Sequence, residues 1–247
     1  MLSESRKITR PEYLKLLPEL QNPITVRIKF VKMGNLQYIS HLDLQRTFNR
    51  ILMRSGLPVW YTKGFNPHAK LVFSTPLSVG TQSECEFLDL RFDREMPCED
   101  IMRILNAELT DEMYVLDVYI PKTKFSDIVF CEYEYEIFTG IASAELAREL
   151  ESLFTTSPLT MVKKTKSGEK EIDIIPLISS FSAEYDAEAG TVKMRAVLSA
   201  LTESFLNPEM LMTAIKQKYG ILTAENADEW YSVMRKKALK ADMSDFR

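Results

Sequence analysis

The sequence predicts an α+β protein in which the element order β-α-β-β-α-β occurs twice along 247 residues. Segments with alternating polar and apolar residues indicate strands, and segments with apolar residues three or four positions apart indicate helices. Helix caps and turn signals separate these segments from one another. Because this order is that of the ferredoxin-like fold, we predict tandem ferredoxin-like halves with antiparallel sheets.

The pattern divides the chain into a leader helix in residues 1–22, a ferredoxin-like domain in 23–121, and a second, divergent ferredoxin-like domain in 127–247. The leader contains PEYLKLLPEL, a helical pattern that Pro18 limits. The first domain holds the motifs SHLDL and GFNPH, which together contain both histidines of the chain.

The elements of the first domain follow from local signals. The alternation in residues 24–31 (ITVRIKFV) predicts a half-buried strand. Ser40 and Asp43 form an S-x-x-D helix start with Ser40 as the cap, and Gly56 ends that helix. The domain is completed by strands over 71–75 and 85–92, a helix over 97–109 and a strand over 113–120.

The second domain repeats the order less clearly. A strand over 128–138 precedes a helix over 143–154. Two hairpins follow, one in 159–178 with its turn at Ser167-Gly168, and one formed by 181–186 and 191–200. Residues 207–220 predict a helix, and the tail DEWYSVMRKKALK fits either a last strand or a short helix.

Charge is unevenly distributed along the chain. Residues 1–70 carry 12 Lys/Arg against 4 Asp/Glu, residues 71–161 carry 6 against 18, and residues 162–247 carry 13 against 13. Such asymmetry is typical of a protein with a surface for a charged partner. The basic block contains both histidine motifs.

Several function classes lack support in the sequence. No apolar run approaches the length of a membrane helix and no secretory signal is visible, so we expect a cytoplasmic protein without a membrane partner. Three cysteines without CxxC spacing predict neither disulfides nor an iron–sulfur cluster. No nucleotide-binding fingerprint occurs. Two histidines and scattered carboxylates show no metal spacing. We therefore expect no cofactor and no metal in this chain.

An arginine stripe on the first helix is the strongest candidate for binding. Arg46, Arg50 and Arg54 lie within about 80° of one another on a helix and can contact phosphates. Lys63 and Lys70 extend this basic set. The same pattern also fits an ordinary solvated helix face. The aromatic residues available to stack on unpaired bases are Tyr38, Trp60, Tyr61 and Phe65.

The segment GFNPHAK predicts a rigid loop, made by Gly64, Phe65, Asn66, Pro67 and His68. Glycine allows a positive φ, and proline fixes its own φ and restricts the residue before it. A rigid loop with amide, imidazole and ammonium groups suits a site that orients a ligand. It equally fits a structural crossover in which Asn66 and His68 bond to the backbone.

The two histidines are candidate acid–base groups. A free imidazole titrates near neutral pH, which suits general acid–base catalysis. His41 lies in the first turn of its helix, where exposed N–H groups can also bind an anion. The alternative is that His41 packs at the junction of strand and helix.

Three segments together resemble the radical-SAM-linked protein family, a bacterial family of uncharacterised domains: YISHLDLQRTFNRILMRSGLP, YTKGFNPHAKLVFSTPLSVG and SECEFLDL. The resemblance covers roughly residues 24–120, and KEIDIIPLI is its best match in the second half. Members often occur fused to, or encoded beside, a cobalamin-binding radical SAM protein. Ala69 and Lys63 depart from the residues expected at those positions.

The resemblance implies an accessory or substrate-presenting module that acts with a separate radical SAM protein. Together with the basic residues above, it leads us to hypothesise a non-catalytic module that contacts structured RNA. One alternative is a metal-independent endoribonuclease that uses His41 or His68, in analogy with the tandem ferredoxin-like CRISPR repeat-RNA endoribonucleases. A second alternative is a pure protein-interaction scaffold, whose acidic middle block docks the radical SAM partner.

Overall fold

The protein is described by a computed structural model of residues 16–247 except Gly64, Asn66, Ser157, Lys166 and Ser167. This part of the chain contains ten strands and four α-helices. The strands pair in a largely antiparallel manner, with one parallel pairing between β3 and β10, the third and last strands. The predicted α+β class is therefore confirmed.

The chain forms two compact units. The first comprises the described residues of Met1–Pro76 together with Cys85–Lys122, and the second comprises Leu77–Glu84 together with Thr123–Arg247.

The elements of the first unit follow the predicted order. They are β1 (Glu19–Lys32), α1 (His41–Ser55), β2 (Val72–Phe73), β3 (Thr81–Arg94, whose residues from Cys85 onward belong here), α2 (Cys98–Asn106) and β4 (Val115–Tyr119). The strands lie in the order β4-β1-β3, and β2 pairs with β3.

Strand β1 begins at Glu19, so residues 19–22 are extended where the sequence analysis predicted the end of a leader helix. Pro23 excludes helical geometry at Asn22, because the residue before a proline is pushed out of the helical region. Residues 1–15 of the predicted leader lie outside the described residues.

The core of the first unit lies between α1, α2 and one face of the sheet. Alternation in β1 directs Ile28 and Phe30 to this side, and both are fully buried. Phe48 of α1 meets Phe30 edge-on, with ring centroids 4.9 Å apart. Burial of each such side chain contributes about 1.5–3 kcal/mol. The other buried apolar residues of α1 are Leu44, Ile51 and Leu52.

The second unit contains β5 (Phe130–Phe138), α3 (Ala144–Thr155), β6 (Thr160–Thr165), β7 (Gly168–Asp173), β8 (Ile178–Asp186), β9 (Thr191–Ser199), α4 (Glu209–Tyr219) and β10 (Trp230–Leu239). Its main strands lie in the order β10-β5-β9-β8, all antiparallel. The first residues of β3 add a parallel strand beside β10, with Thr81 opposite Val233.

The tail and the predicted hairpin in residues 159–178 both contain strands. The tail is a strand, which pairs with β5 along its whole length apart from one bulge. Strands β6 and β7 form a separate hairpin, as predicted. Gly168 has a φ of +126°, while Ser167 of the predicted turn lies outside the described residues.

Candidate nucleic-acid interface

Helix α1 begins at a well-formed cap. The Ser40 hydroxyl accepts a hydrogen bond from the Asp43 N–H at 3.2 Å and donates one to the Asp43 carboxylate at 2.7 Å. That hydroxyl is the main reason why the pKa of Asp43 is lowered from its ordinary value. At the other end, Gly56 adopts a left-handed conformation, with φ +66°. Glycine tolerates this conformation without strain, so the helix stops there.

The arginine stripe is exposed, but two of its three members are already paired. Arg46 contacts Asp43 at 3.2 Å, and Arg54 contacts Glu108 at 2.8 Å. Arg50 makes no ion pair or hydrogen bond with any residue that the structure describes. The stripe therefore offers one uncompensated guanidinium and two that are partly neutralised.

The GFNPH loop is closed at its base by three contacts between Thr62 and His68. The Thr62 N–H donates to the His68 carbonyl at 3.0 Å, and the His68 N–H donates to the Thr62 hydroxyl at 3.2 Å. The same hydroxyl lies 3.2 Å from Nδ1 of His68. Below this closure, Tyr61 pairs with Ala69, which is buried in the core. The loop is thus anchored to the first unit.

The tip of this loop presents an aromatic ring to solvent. Phe65 has a relative exposure of 111%, the highest among the large hydrophobic residues that the structure describes. Lys63 and Pro67 beside it are also exposed. Gly64 and Asn66, which belong to the predicted loop, lie outside the described residues. Burial of this ring by a partner would gain about 1.5–3 kcal/mol.

The two histidines have different surroundings. His41, at the start of α1, packs edge-on against Phe73 with ring centroids 5.1 Å apart. His68 is exposed and turns Nδ1 towards the Thr62 hydroxyl. His41 is thus exposed with one aromatic contact, while His68 is exposed with a hydrogen bond that orients its ring.

Lys70 lines a shallow pocket of about 140 Å³ in the first unit. Arg91 of β3 lines the same pocket, and so does Asp89. Arg27 binds both carboxylate oxygens of Asp89, at 2.7 and 2.9 Å, which compensates its charge. The ammonium and guanidinium groups consequently dominate the pocket, which suits an anion such as phosphate.

Arg91 is a candidate residue that the sequence analysis missed. It lies between the buried residues Leu90 and Phe92, so its side chain projects from the opposite face of β3. Its guanidinium carbon lies 5.8 Å from the ring centre of Trp60, within range of a cation–π contact. The alternation in β3 already placed Arg91 on that face, but no sequence signal brought Lys70 to it.

Among the residues that the structure describes, no three His, Cys, Asp or Glu side chains lie close enough together to hold a metal ion. No helix in the described ranges has both the length and the apolar character needed to cross a bilayer.

Residues 25–208 match a family described as an uncharacterised protein conserved in bacteria, DUF2344. A comparison with curated proteins finds no match.

Two solved structures show a weak likeness. One is an unknown protein from Galdieria sulphuraria, with 9% identity, a TM-score of 0.25, and coverage of 87% of this chain and 99% of that one. The other is a DypB variant in complex with manganese, with 11% identity, a TM-score of 0.20, and coverage of 79% and 84%. At these TM-scores neither carries an argument about fold or function.

Proposed function

The chain belongs to the DUF2344 family of uncharacterised bacterial proteins, and we propose that it is a non-catalytic binding module that contacts RNA through its first unit. The observation that carries this proposal is the fully exposed Phe65 at the tip of the loop that Thr62 and His68 close. An exposed aromatic ring on an anchored loop is a stacking surface for an unpaired base.

Positive charge around this loop supports a nucleic-acid partner. Lys63 is exposed beside Phe65, and Lys70 follows His68 two residues further along the chain. Lys70 shares its pocket with Arg91. Stacking on Phe65 and phosphate contacts by Lys70 and Arg91 together give the combination by which proteins bind single-stranded nucleic acid.

The order in which the strands pair supports the tandem ferredoxin-like fold that we propose. In the first unit the order β4-β1-β3-β2 corresponds to strands four, one, three and two of a β-α-β-β-α-β unit. In the second unit β10-β5-β9-β8 has the same order. The hairpin of β6 and β7 is an insertion between the second unit's first helix and second main strand.

The partner that we propose is a separate, cobalamin-binding radical SAM protein in the cytoplasm. Support for it comes from the resemblance of the SHLDLQR and GFNPHAK segments to the radical-SAM-linked family. In this scheme the chain holds a structured RNA, and the partner carries out the chemistry. His68 and Asn66 orient the bound group.

The endoribonuclease alternative has less support. His41 packs against Phe73, which occupies one side of its ring. The ring of His68 is oriented by the hydroxyl of Thr62, which lies 3.2 Å from its Nδ1. Cleavage of RNA in the absence of metal, lost in His68→Ala, is the result that favours this alternative.

The test is RNA binding measured by fluorescence anisotropy at several salt concentrations. The probes are a labelled 12-nucleotide single-stranded RNA and bulk tRNA. We expect Phe65→Ala and Lys70→Ala/Arg91→Ala each to weaken binding about tenfold, in line with the roughly 1–3 kcal/mol of one stacked base. The double variant also lowers the salt dependence, since each lost phosphate contact reduces the slope by about 0.7.

A matched control removes two positive charges elsewhere in the same unit. Arg103 and Lys122 are both exposed, and Arg103→Ala/Lys122→Ala alters the net charge by the same amount as the pocket variant. Equal weakening by both double variants indicates attraction by net charge alone. Failure of the wild-type protein to bind either RNA refutes the proposal.

A further inference from the structure

A groove of about 660 Å³ lies on one face of the sheet in the second unit. Phe154 of α3 packs against Phe181 of β8 on the helix-covered face, with ring centroids 4.8 Å apart. The neighbours of Phe181 in β8 alternate to the other side, where the groove lies. Charged side chains from four strands line it: Glu134, Glu136, Glu184, Lys193, Arg195 and Lys236.

The basic side chains of the groove are already engaged by carboxylates. Their ion pairs are Arg195 with Glu134 at 2.8 Å, Lys193 with Asp186 at 2.7 Å, and Lys236 with Glu84 at 2.6 Å. Lys193 gains a raised pKa, chiefly from its hydrogen bond to Asp186. A neighbouring carboxylate therefore partly neutralises each lysine and arginine side chain of the groove.

Two carboxylates of the groove have no such partner. Glu136 and Glu184 lie opposite Lys193 on the two neighbouring strands, but Lys193 bonds to Asp186 instead. Glu136 accepts a hydrogen bond from the Thr191 hydroxyl at 3.0 Å. Neither Glu136 nor Glu184 has an ion pair within the described residues, although both interact electrostatically with Lys193 between them. Counted together with Asp186 and Glu84, the carboxylates that hold its two lysines, the groove has five negative and three positive side chains, an excess of two negative charges.

An exposed aromatic pair continues the same face. Phe138 and Trp230 are cross-strand partners with stacked rings, 6.0 Å between centroids and 12° between planes. They are 38% and 46% exposed. Each lies two residues along its strand from a groove residue, Glu136 or Ser232, so both rings emerge on the groove side. Indole and phenyl faces attract cations, as do the nearby carboxylates.

We propose that this groove docks an extended, basic peptide segment of a partner protein. The excess of carboxylates selects a cationic ligand and disfavours the phosphates of RNA. Glu184 and Glu136 lie two strands apart, about 10 Å, so one small cation cannot neutralise both. A peptide with two or more Lys or Arg side chains can do so, and Trp230 provides the aromatic anchor that interfaces favour. The proposal concerns the second unit and is independent of RNA binding by the first.

The experiment is calorimetric titration of the full chain with a nine-residue peptide of alternating lysine and serine. A peptide of alternating glutamate and serine is the opposite-charge probe. We expect only the lysine peptide to bind, and we expect Glu136→Gln/Glu184→Gln and Trp230→Ala each to weaken binding at least tenfold. Glutamine keeps the shape of glutamate at exposed positions, and an unchanged thermal unfolding curve verifies folding.

The matched control is Glu145→Gln/Glu151→Gln, which removes two exposed carboxylates from α3. Affinity within twofold of the wild type in this control, together with loss in the groove variant, supports the proposal. Equal loss in both variants shows diffuse attraction and overturns it. It is also overturned by an absence of binding or by preference for the glutamate peptide.

Discussion

Asp89 accepts two hydrogen bonds from the buried guanidinium of Arg27, one from Nε at 2.7 Å and one from Nη2 at 2.9 Å. Arg27 is only 1% exposed and is among the largest fully buried side chains of the described chain. This bidentate geometry offsets the cost of removing the arginine from water. It also compensates the negative charge of Asp89 in the pocket that Lys70 lines.

Removal of Asp89 leaves that buried charge without its main partner. We expect Asp89→Ala to lower the free energy of unfolding by about 3–5 kcal/mol, measured by urea denaturation. Replacement of both partners, Arg27→Met/Asp89→Leu, is expected to cost much less, because no charge is then left in the interior. A double variant as unstable as Asp89→Ala contradicts this account.

Glu229 joins two turns of the second unit. Its carboxylate accepts hydrogen bonds from the Thr139 hydroxyl at 2.5 Å, the Gly140 N–H at 3.2 Å and the Leu222 N–H at 2.5 Å. Asn226 contributes a further bond at 3.0 Å. These bonds, with the Thr139 hydroxyl first, lower the pKa of Glu229 to about 2. The ionised form is the one that holds the turns.

The consequence is a stability that depends on pH. The pKa of Glu229 is lower in the folded than in the unfolded chain, so its contribution is full above the unfolded value of 4.5 and is lost as the pH falls towards 2. We expect Glu229→Gln to lower the Tm at pH 7 by roughly 2–4 °C and to flatten the fall of Tm between pH 4.5 and 2.

Glu225→Gln is the matched control for Glu229, since Glu225 is an exposed glutamate of the same loop. Its pH profile should follow that of the wild type. If Glu229→Gln leaves the acid limb of the profile unchanged, another group controls the loss of stability in acid.

The arginine stripe makes a separate prediction about RNA binding. Arg50 lacks an acidic neighbour, whereas Asp43 and Glu108 partly neutralise the arginines on either side of it. We therefore expect Arg50→Ala to weaken binding to single-stranded RNA more than Arg46→Ala or Arg54→Ala, measured by anisotropy at low salt. The triple variant should lose the most salt dependence.

Equal effects of the three single variants show that the ion pairs open when RNA binds. If the triple variant binds RNA as the wild type does, α1 is not part of the interface, and the loop of Phe65 remains the proposed contact. Both outcomes require that circular dichroism shows a folded protein.

Local signals were sufficient to predict much of the fold. The cap at Ser40 and the stop at Gly56 correctly bounded α1, because both depend on residues adjacent in sequence. The alternation of β5 identified that segment as a strand in the same way. The tail was ambiguous because its alternation is broken by a bulge between Arg235 and Lys237.

Long-range relations account for what the sequence analysis missed. Glu108 lies 54 residues from Arg54, and no local pattern predicts that the two side chains meet. The same holds for Arg91 beside Lys70 and for the groove, whose charges come from four strands. The net charge of each sequence segment describes only its composition. Which charged side chains remain available to a ligand depends on the ion pairs that form across strands.

Strand β10 has an interior position in its sheet although it is the last strand of the described chain. It pairs with β3 on one side and β5 on the other. During synthesis the first unit can complete its sheet once Lys122 has emerged from the ribosome, but β5 has an open edge until residues 230–239 are made. Such distant pairing slows folding, and an open edge can pair with another chain. The order of translation thus makes the second unit the slower of the two to complete its sheet.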